Sequence, residues 1–196
     1  MHDNAAARFY RQLKKNDELL AEVMDELRQF NALMHGREST PFACRLKVRV
    51  VCSLMEARLS HMKVAALTVA MEPEKVFTPE DRLALQDQRK VKGTSKGATK
   101  LVALRLTMKE NVKLALRAFA TATGCTYIVN FGDTGGANFL RAMEIRDRVI
   151  HPKRIEDWKT TVEDVAVVDA AWEWLARHML DLSTRSSAAL KQKYSP

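Results

Sequence analysis

In one window after another, from about Asn4 to Leu182, apolar residues return at intervals of three and four, the period of a helix that buries one face. Phe9, Leu13, Leu20, Met24, Leu27 and Met34 predict a first long helix, ended by His35-Gly36. Thr40 and Pro41, suited to the cap and first position of a helix, open a second one that is expected to run to about Met71. On that helix Leu46, Val50, Leu54, Ala57, His61 and Val64 share one stripe, while Val51, Met55, Leu59 and Met62 share a neighbouring one. A helix apolar on two faces belongs at the centre of a bundle.

Glu72-Pro73 interrupts the pattern, and Thr78-Pro79-Glu80 starts a short helix over 81–89. The stretch from Lys92 to Lys100 is small, polar and basic without an apolar period, which reads as a surface loop. Leu101, Leu104, Met108, Val112, Ala115 and Phe119 then predict a helix ending near Gly124, with Tyr127-Ile128-Val129 as a brief extended segment. A glycine-rich turn, Phe131 to Gly136, leads into a helix from about Asn138 to Ile150 that stops before Pro152. Val165, Val168, Trp172, Leu175, Met179 and Leu182 stripe the last helix, and beyond Ser183 the polar, basic composition suggests a frayed tail. The expected fold is an all-α bundle of five or six helices, one domain over 1–182 followed by a flexible basic tail over 183–196.

Several function classes are disfavoured. The three cysteines, Cys44, Cys52 and Cys125, are an odd count with no C-x-x-C pair, so neither a disulfide framework nor a zinc knuckle is indicated and a reducing cytoplasm is expected. The first residues do not read as a secretory signal, and charges break every apolar run before membrane-spanning length, so no membrane association is expected. Gly93 to Thr99 lacks the G-x-x-x-x-G-K-[ST] pattern, which leaves nucleotide hydrolysis unsupported; no cofactor and no metal are expected.

What remains is charge. The chain carries 32 basic and 24 acidic residues, a formal +8. Between Arg89 and Arg117 nine basic residues (Arg89, Lys90, Lys92, Lys96, Lys100, Arg105, Lys109, Lys113 and Arg117) face one acid, Glu110. Lys92, Lys96 and Lys100 are therefore candidate contacts to the phosphates of RNA, an ordinary solvated face being the alternative. Tyr127 and Phe131 have two readings, stacking on unpaired bases or packing in a core.

The helix before Pro152 is the most informative. Its expected apolar face is Phe139, Ala142, Met143, Val149 and Ile150, with Arg146 in the middle, and a guanidinium in such surroundings needs an anionic partner. Glu56 is a candidate to orient it, from a stripe shared with Arg45, Arg49, Cys52, Ser60 and Lys63 that equally fits a solvated charged face. Arg141, Glu144 and Arg148 fall on the other side, with Glu144 and Arg148 an i, i+4 pair. His151, five residues after Arg146, would lie about 140° away on an ideal helix. Pro152 frees it from the helix, so its imidazole can swing toward the arginine, or a second chain completes the site.

Arg146-Asp147-Arg148-Val149-Ile150-His151-Pro152 resembles the R-x4-6-H signature of HEPN-domain ribonucleases, with Asp147 where asparagine is commoner. An acidic-then-apolar final helix follows after a short connection, and the likeness extends from about Asn4 to Leu182. The resemblance implies a HEPN-like helical bundle and a homodimer whose two motifs face each other across a composite site. It also implies metal-independent RNA cleavage by 2′-hydroxyl attack. Arg146, Asp147 and His151 would be the catalytic residues: His151 as acid or base, Arg146 on the scissile phosphate and Asp147 positioning or polarising these groups. Toxin, defence and RNA-processing roles all fit, as does an antitoxin or regulatory protein partner. Spacing alone leaves open a helical adaptor or RNA-binding module, in which Arg146 pairs structurally with a carboxylate such as Glu56 and His151 caps the helix.

Overall fold

The computed structural model describes residues 14, 18, 21–22, 24–70, 72–92 and 99–194, with Lys92, Lys193 and Tyr194 described by backbone alone. The chain is predominantly α-helical. Residues 24–33 are helical (α1), and α2 (Pro41–Val69), α3 (Pro73–Val76) and α4 (Pro79–Leu85) follow. Two strands, β1 (Gln88–Lys92) and β2 (Thr99–Ala103), precede α5 (Met108–Thr123), α6 (Thr134–Ile150), a 3-10 turn at Ile155–Trp158, and α7 (Val162–Tyr194). Most of the expected first helix lies outside the described residues. Contacts divide the chain into two compact units, one of Met1–Lys15, Leu59–Ile128 and Leu182–Pro196, the other of Asn16–Arg58 and Val129–Asp181. The long helices α2 and α7 contribute to both.

In the first unit, Ala66, Phe77, Leu85 and Ala118 form an apolar cluster. Gln88–Lys92 and Thr99–Ala103, expected in part as the end of one helix and the start of the next, pair instead as an antiparallel ribbon, with Gln88 opposite Ala103 and Lys92 opposite Thr99, and residues 93–98 of the expected loop lie outside the described residues. Leu101 and Leu104 fit a helical spacing, but a capping box sets the true start of α5: Thr107 Oγ1 accepts from the Glu110 N–H, and the Glu110 carboxylate accepts from the Thr107 N–H. Gly124, at φ 78°, ends α5 in the left-handed conformation as expected. Ahead of the ribbon Asp87 adopts φ 56°, and its carboxylate accepts a short hydrogen bond from Lys63, which is only 2% exposed. A buried ammonium requires such a partner. No extended pairing occurs at Tyr127-Ile128-Val129.

The polar stretch expected as a tail is helical. α7 continues through it to Tyr194, and Ser186 is buried with its hydroxyl 2.9 Å from that of Thr123 at the end of α5. That buried hydroxyl pair, with Ala188, Ala189 and Leu190 as good helix formers, outweighs the polar composition.

In the second unit, Phe30, Met34 and Ala43 close the turn between α1 and α2. Asp133 caps α6, its carboxylate accepting from the Gly136 N–H at 2.6 Å. Phe131, Phe139 and Trp174 pack together with ring centroids 5.0–5.9 Å apart. Lys47 donates to Asp169 at 2.7 Å, tying α2 to α7. Among the described residues no helix is long and apolar enough to cross a membrane.

Candidate functional site

α6 ends because Pro152 follows. His151 occupies the C-cap at φ −123°, ψ 58°; its N–H still donates to the Asp147 carbonyl at 2.9 Å, while its side chain leaves the helical array and is exposed. Arg146, Asp147, Arg148, His151, Lys153 and Asp157 line one open cleft of about 620 Å³. The three residues singled out from the sequence thus line a single cleft, with His151 on the non-helical residue that ends α6.

The buried face of α6 consists of Gly136, Phe139, Ala142, Ile145 and Val149. Ile145 takes the place expected of Met143 and Ile150, so Arg146 stands at the edge of this face, its side chain 27% exposed. Nη2 donates to Glu56 Oε1 at 2.7 Å and Nη1 to Asp147 Oδ1 at 2.8 Å. Nε is buried with no acceptor among the described residues. Burial works against the charge, but the hydrogen bond donated to Asp147 and the field of Glu56 outweigh it and hold the guanidinium above its ordinary pKa. With two of its five donors used and Nε hidden, the outer Nη protons are the ones that can meet an anion in the cleft.

Glu56 belongs to the stripe of α2 that faces α6. Arg49, two turns earlier, donates to the Val149 carbonyl at 3.3 Å, satisfying an orphan acceptor at the end of α6. Cys52 between them is fully buried, and that burial pushes its thiol up to about 12 against the pull of Arg146. Burial raises the Cys44 thiol as well. At about pH 8 a maleimide is expected to label only Cys125 in the folded protein and all three thiols in denaturant, as counted by intact mass.

Arg148 does not pair with Glu144. Glu144 bonds Arg141 at 2.7 Å, and Arg148 donates to Asp164 Oδ2 at 2.7 Å, where the Thr161 N–H also donates at 3.2 Å. Arg148 and Lys153, which sequence reasoning did not assign to the site, add positive charge to the cleft. Asp157 Oδ2 accepts from the N–H groups of Lys153 and Arg154 at 2.8 and 3.0 Å. The first of these bonds, opposed by desolvation and helped by the second, holds this carboxylate below its usual pKa, so it stays ionised at neutral pH.

The cleft lining does not include Lys100, which is exposed on β2; Lys96 lies outside the described residues, and Lys92 is placed in β1 by its backbone only. Phe131 is held in the aromatic cluster with Phe139 and Trp174. Tyr127 has the Arg185 guanidinium over its ring at 5.4 Å. No family model, no curated protein and no solved structure matches the chain.

Proposed function

We propose that the protein is a HEPN-type, metal-independent endoribonuclease of the cytoplasm, acting as a homodimer whose two clefts form one composite site. The observation that carries this reading is that Arg146, Asp147 and the exposed His151 line one solvent-open cleft. His151 takes the proton of a ribose 2′-hydroxyl as that oxygen bonds to phosphorus, the P–O5′ bond breaks, and the leaving 5′-oxygen takes a proton from solvent, giving a 2′,3′-cyclic phosphate and a 5′-hydroxyl. The outer Nη protons of Arg146 neutralise the charge that develops on the phosphoryl oxygens, with Glu56 and Asp147 fixing the fork. Lys92, Lys96 and Lys100 would hold the strand by its phosphates in a salt-dependent way. A toxin, defence or RNA-processing role, with an antitoxin or regulatory partner, fits this activity.

One observation favours a second reading, a non-catalytic adaptor or RNA-binding module. Arg146 already holds two carboxylates, and its bond to Glu56 ties α6 to α2 as a purely structural ion pair would. The deciding experiment uses labelled single-stranded RNA in excess EDTA beside the same strand with 2′-deoxy residues throughout. The nuclease cuts only the former and leaves cyclic-phosphate ends; an adaptor leaves both intact.

A further inference from the structure

Trp158 ends the 3-10 turn that packs against α6, directly after the cleft residue Asp157. It is 44% exposed, an uncommon position for the largest aromatic side chain. The Arg45 guanidinium lies 5.1 Å from its ring centroid, and Arg45 Nη1 donates to the Trp158 carbonyl at 3.1 Å, so cation and ring are held together. The platform is also braced from the other end, because Asp157 gathers two backbone N–H groups and the Arg154 side chain around its carboxylate.

We propose that Trp158 and Arg45 form a nucleobase-stacking subsite at the rim of the cleft, binding a base of the same single-stranded RNA whose phosphate meets Arg146. The inference rests on the ribonuclease reading for the identity of the strand. An exposed indole fits many apolar partners; the charge around it selects this one. Lys153, Arg154 and Lys159 are exposed beside Trp158, Arg45 stacks on it, and of the two acids in this segment Asp157 is consumed by the backbone, leaving Glu156. A half-exposed indole with a guanidinium stacked on its ring, in a segment that carries three further exposed cations, matches a ligand that is both polyanionic and aromatic. Stacking tolerates any base, so the subsite adds affinity and positions the strand without imposing a sequence.

The test is fluorescence anisotropy of the full chain with a fluorescein-labelled 2′-O-methyl oligoadenylate, which offers no nucleophile, beside an abasic strand of equal length. Trp158→Leu keeps apolar bulk and Trp158→Phe keeps a π face, so both are expected to fold. Trp158→Leu is expected to weaken oligoadenylate binding by about tenfold and Trp158→Phe by less than about threefold, with the abasic strand bound alike by all three proteins. Unchanged oligoadenylate binding by the Leu variant, an equal loss on the abasic strand, or no binding by the wild type would each overturn the subsite. Trp158-dependent binding without RNA cleavage would leave the subsite standing and remove the nuclease reading; cleavage with base-independent binding would do the reverse.

Discussion

His151→Ala lowers RNA cleavage by an expected 10²–10⁴-fold, the usual contribution of a positioned acid or base, while unfolding shifts by no more than about 0.5 kcal/mol. The separation of the two effects follows from the geometry. His151 is exposed, and its backbone N–H, which the substitution keeps, makes the bond to Asp147 that closes α6. Arg146→Ala behaves differently: it removes the bond to Glu56 as well as the guanidinium proposed to meet the phosphate, so it should lose activity and some stability together. Arg146→Lys keeps the charge but cannot hold Glu56 and Asp147 with one planar fork, so it should recover stability more than rate. Initial rates on a labelled strand, read beside urea unfolding, distinguish the cases. An His151→Ala protein that cleaves like the wild type would remove the histidine from the chemistry.

The helical fold was legible because burying one face imposes a period that a single chain displays: α2 is at least partly buried along both of its apolar stripes, and α5 ends at Gly124 where the spacing stops. Errors arose where two explanations share one spacing. Leu101 and Leu104 fit a helix, but the partner that makes Thr99–Ala103 a strand lies eleven residues upstream, and pairing with another segment leaves no mark on local periodicity. In α6 the choice between Met143 and Ile145 for the core rotates the helix by a few tens of degrees, enough to move Arg146 from the centre of the face to its edge. Glu56 was nameable as a partner because a half-buried arginine demands one. Trp158 escaped because its exposure depends on a 3-10 turn built around Asp157, a carboxylate whose two backbone donors no sequence pattern identifies.

Gly136→Ala is expected to destabilise the protein by about 2–3 kcal/mol, although exchanging glycine for alanine inside a helix ordinarily gains about 1 kcal/mol. The sign reverses because the first turn of α6 runs against other atoms. A Cβ on Gly136 would stand 2.6 Å from the Phe131 Cα and 2.7 Å from its carbonyl carbon and oxygen, all backbone atoms that cannot rotate away. At Gly135 the new methyl would collide with Cδ1 of the Trp174 indole and stand 2.8 Å from its Cγ. Trp174 is itself fixed between Phe131 and Phe139, so Gly135→Ala should also destabilise, with the loss set by how far those three rings can shift. Gly132→Ala is the control: its Cβ would lie 3.2 Å from the Asn130 side-chain oxygen on an exposed turn, where a small rotation suffices and stability should change little. Urea unfolding of the three variants measures the series, and a stabilised Gly136→Ala would contradict this packing. Because Asp133 to Gly136 set the start of the helix whose other end carries Arg146, Asp147 and His151, Gly136→Ala should lose cleavage only in proportion to the unfolded fraction. Adding urea to the wild type until the same fraction is unfolded should then give the same residual rate, whereas His151→Ala should stay inactive while fully folded.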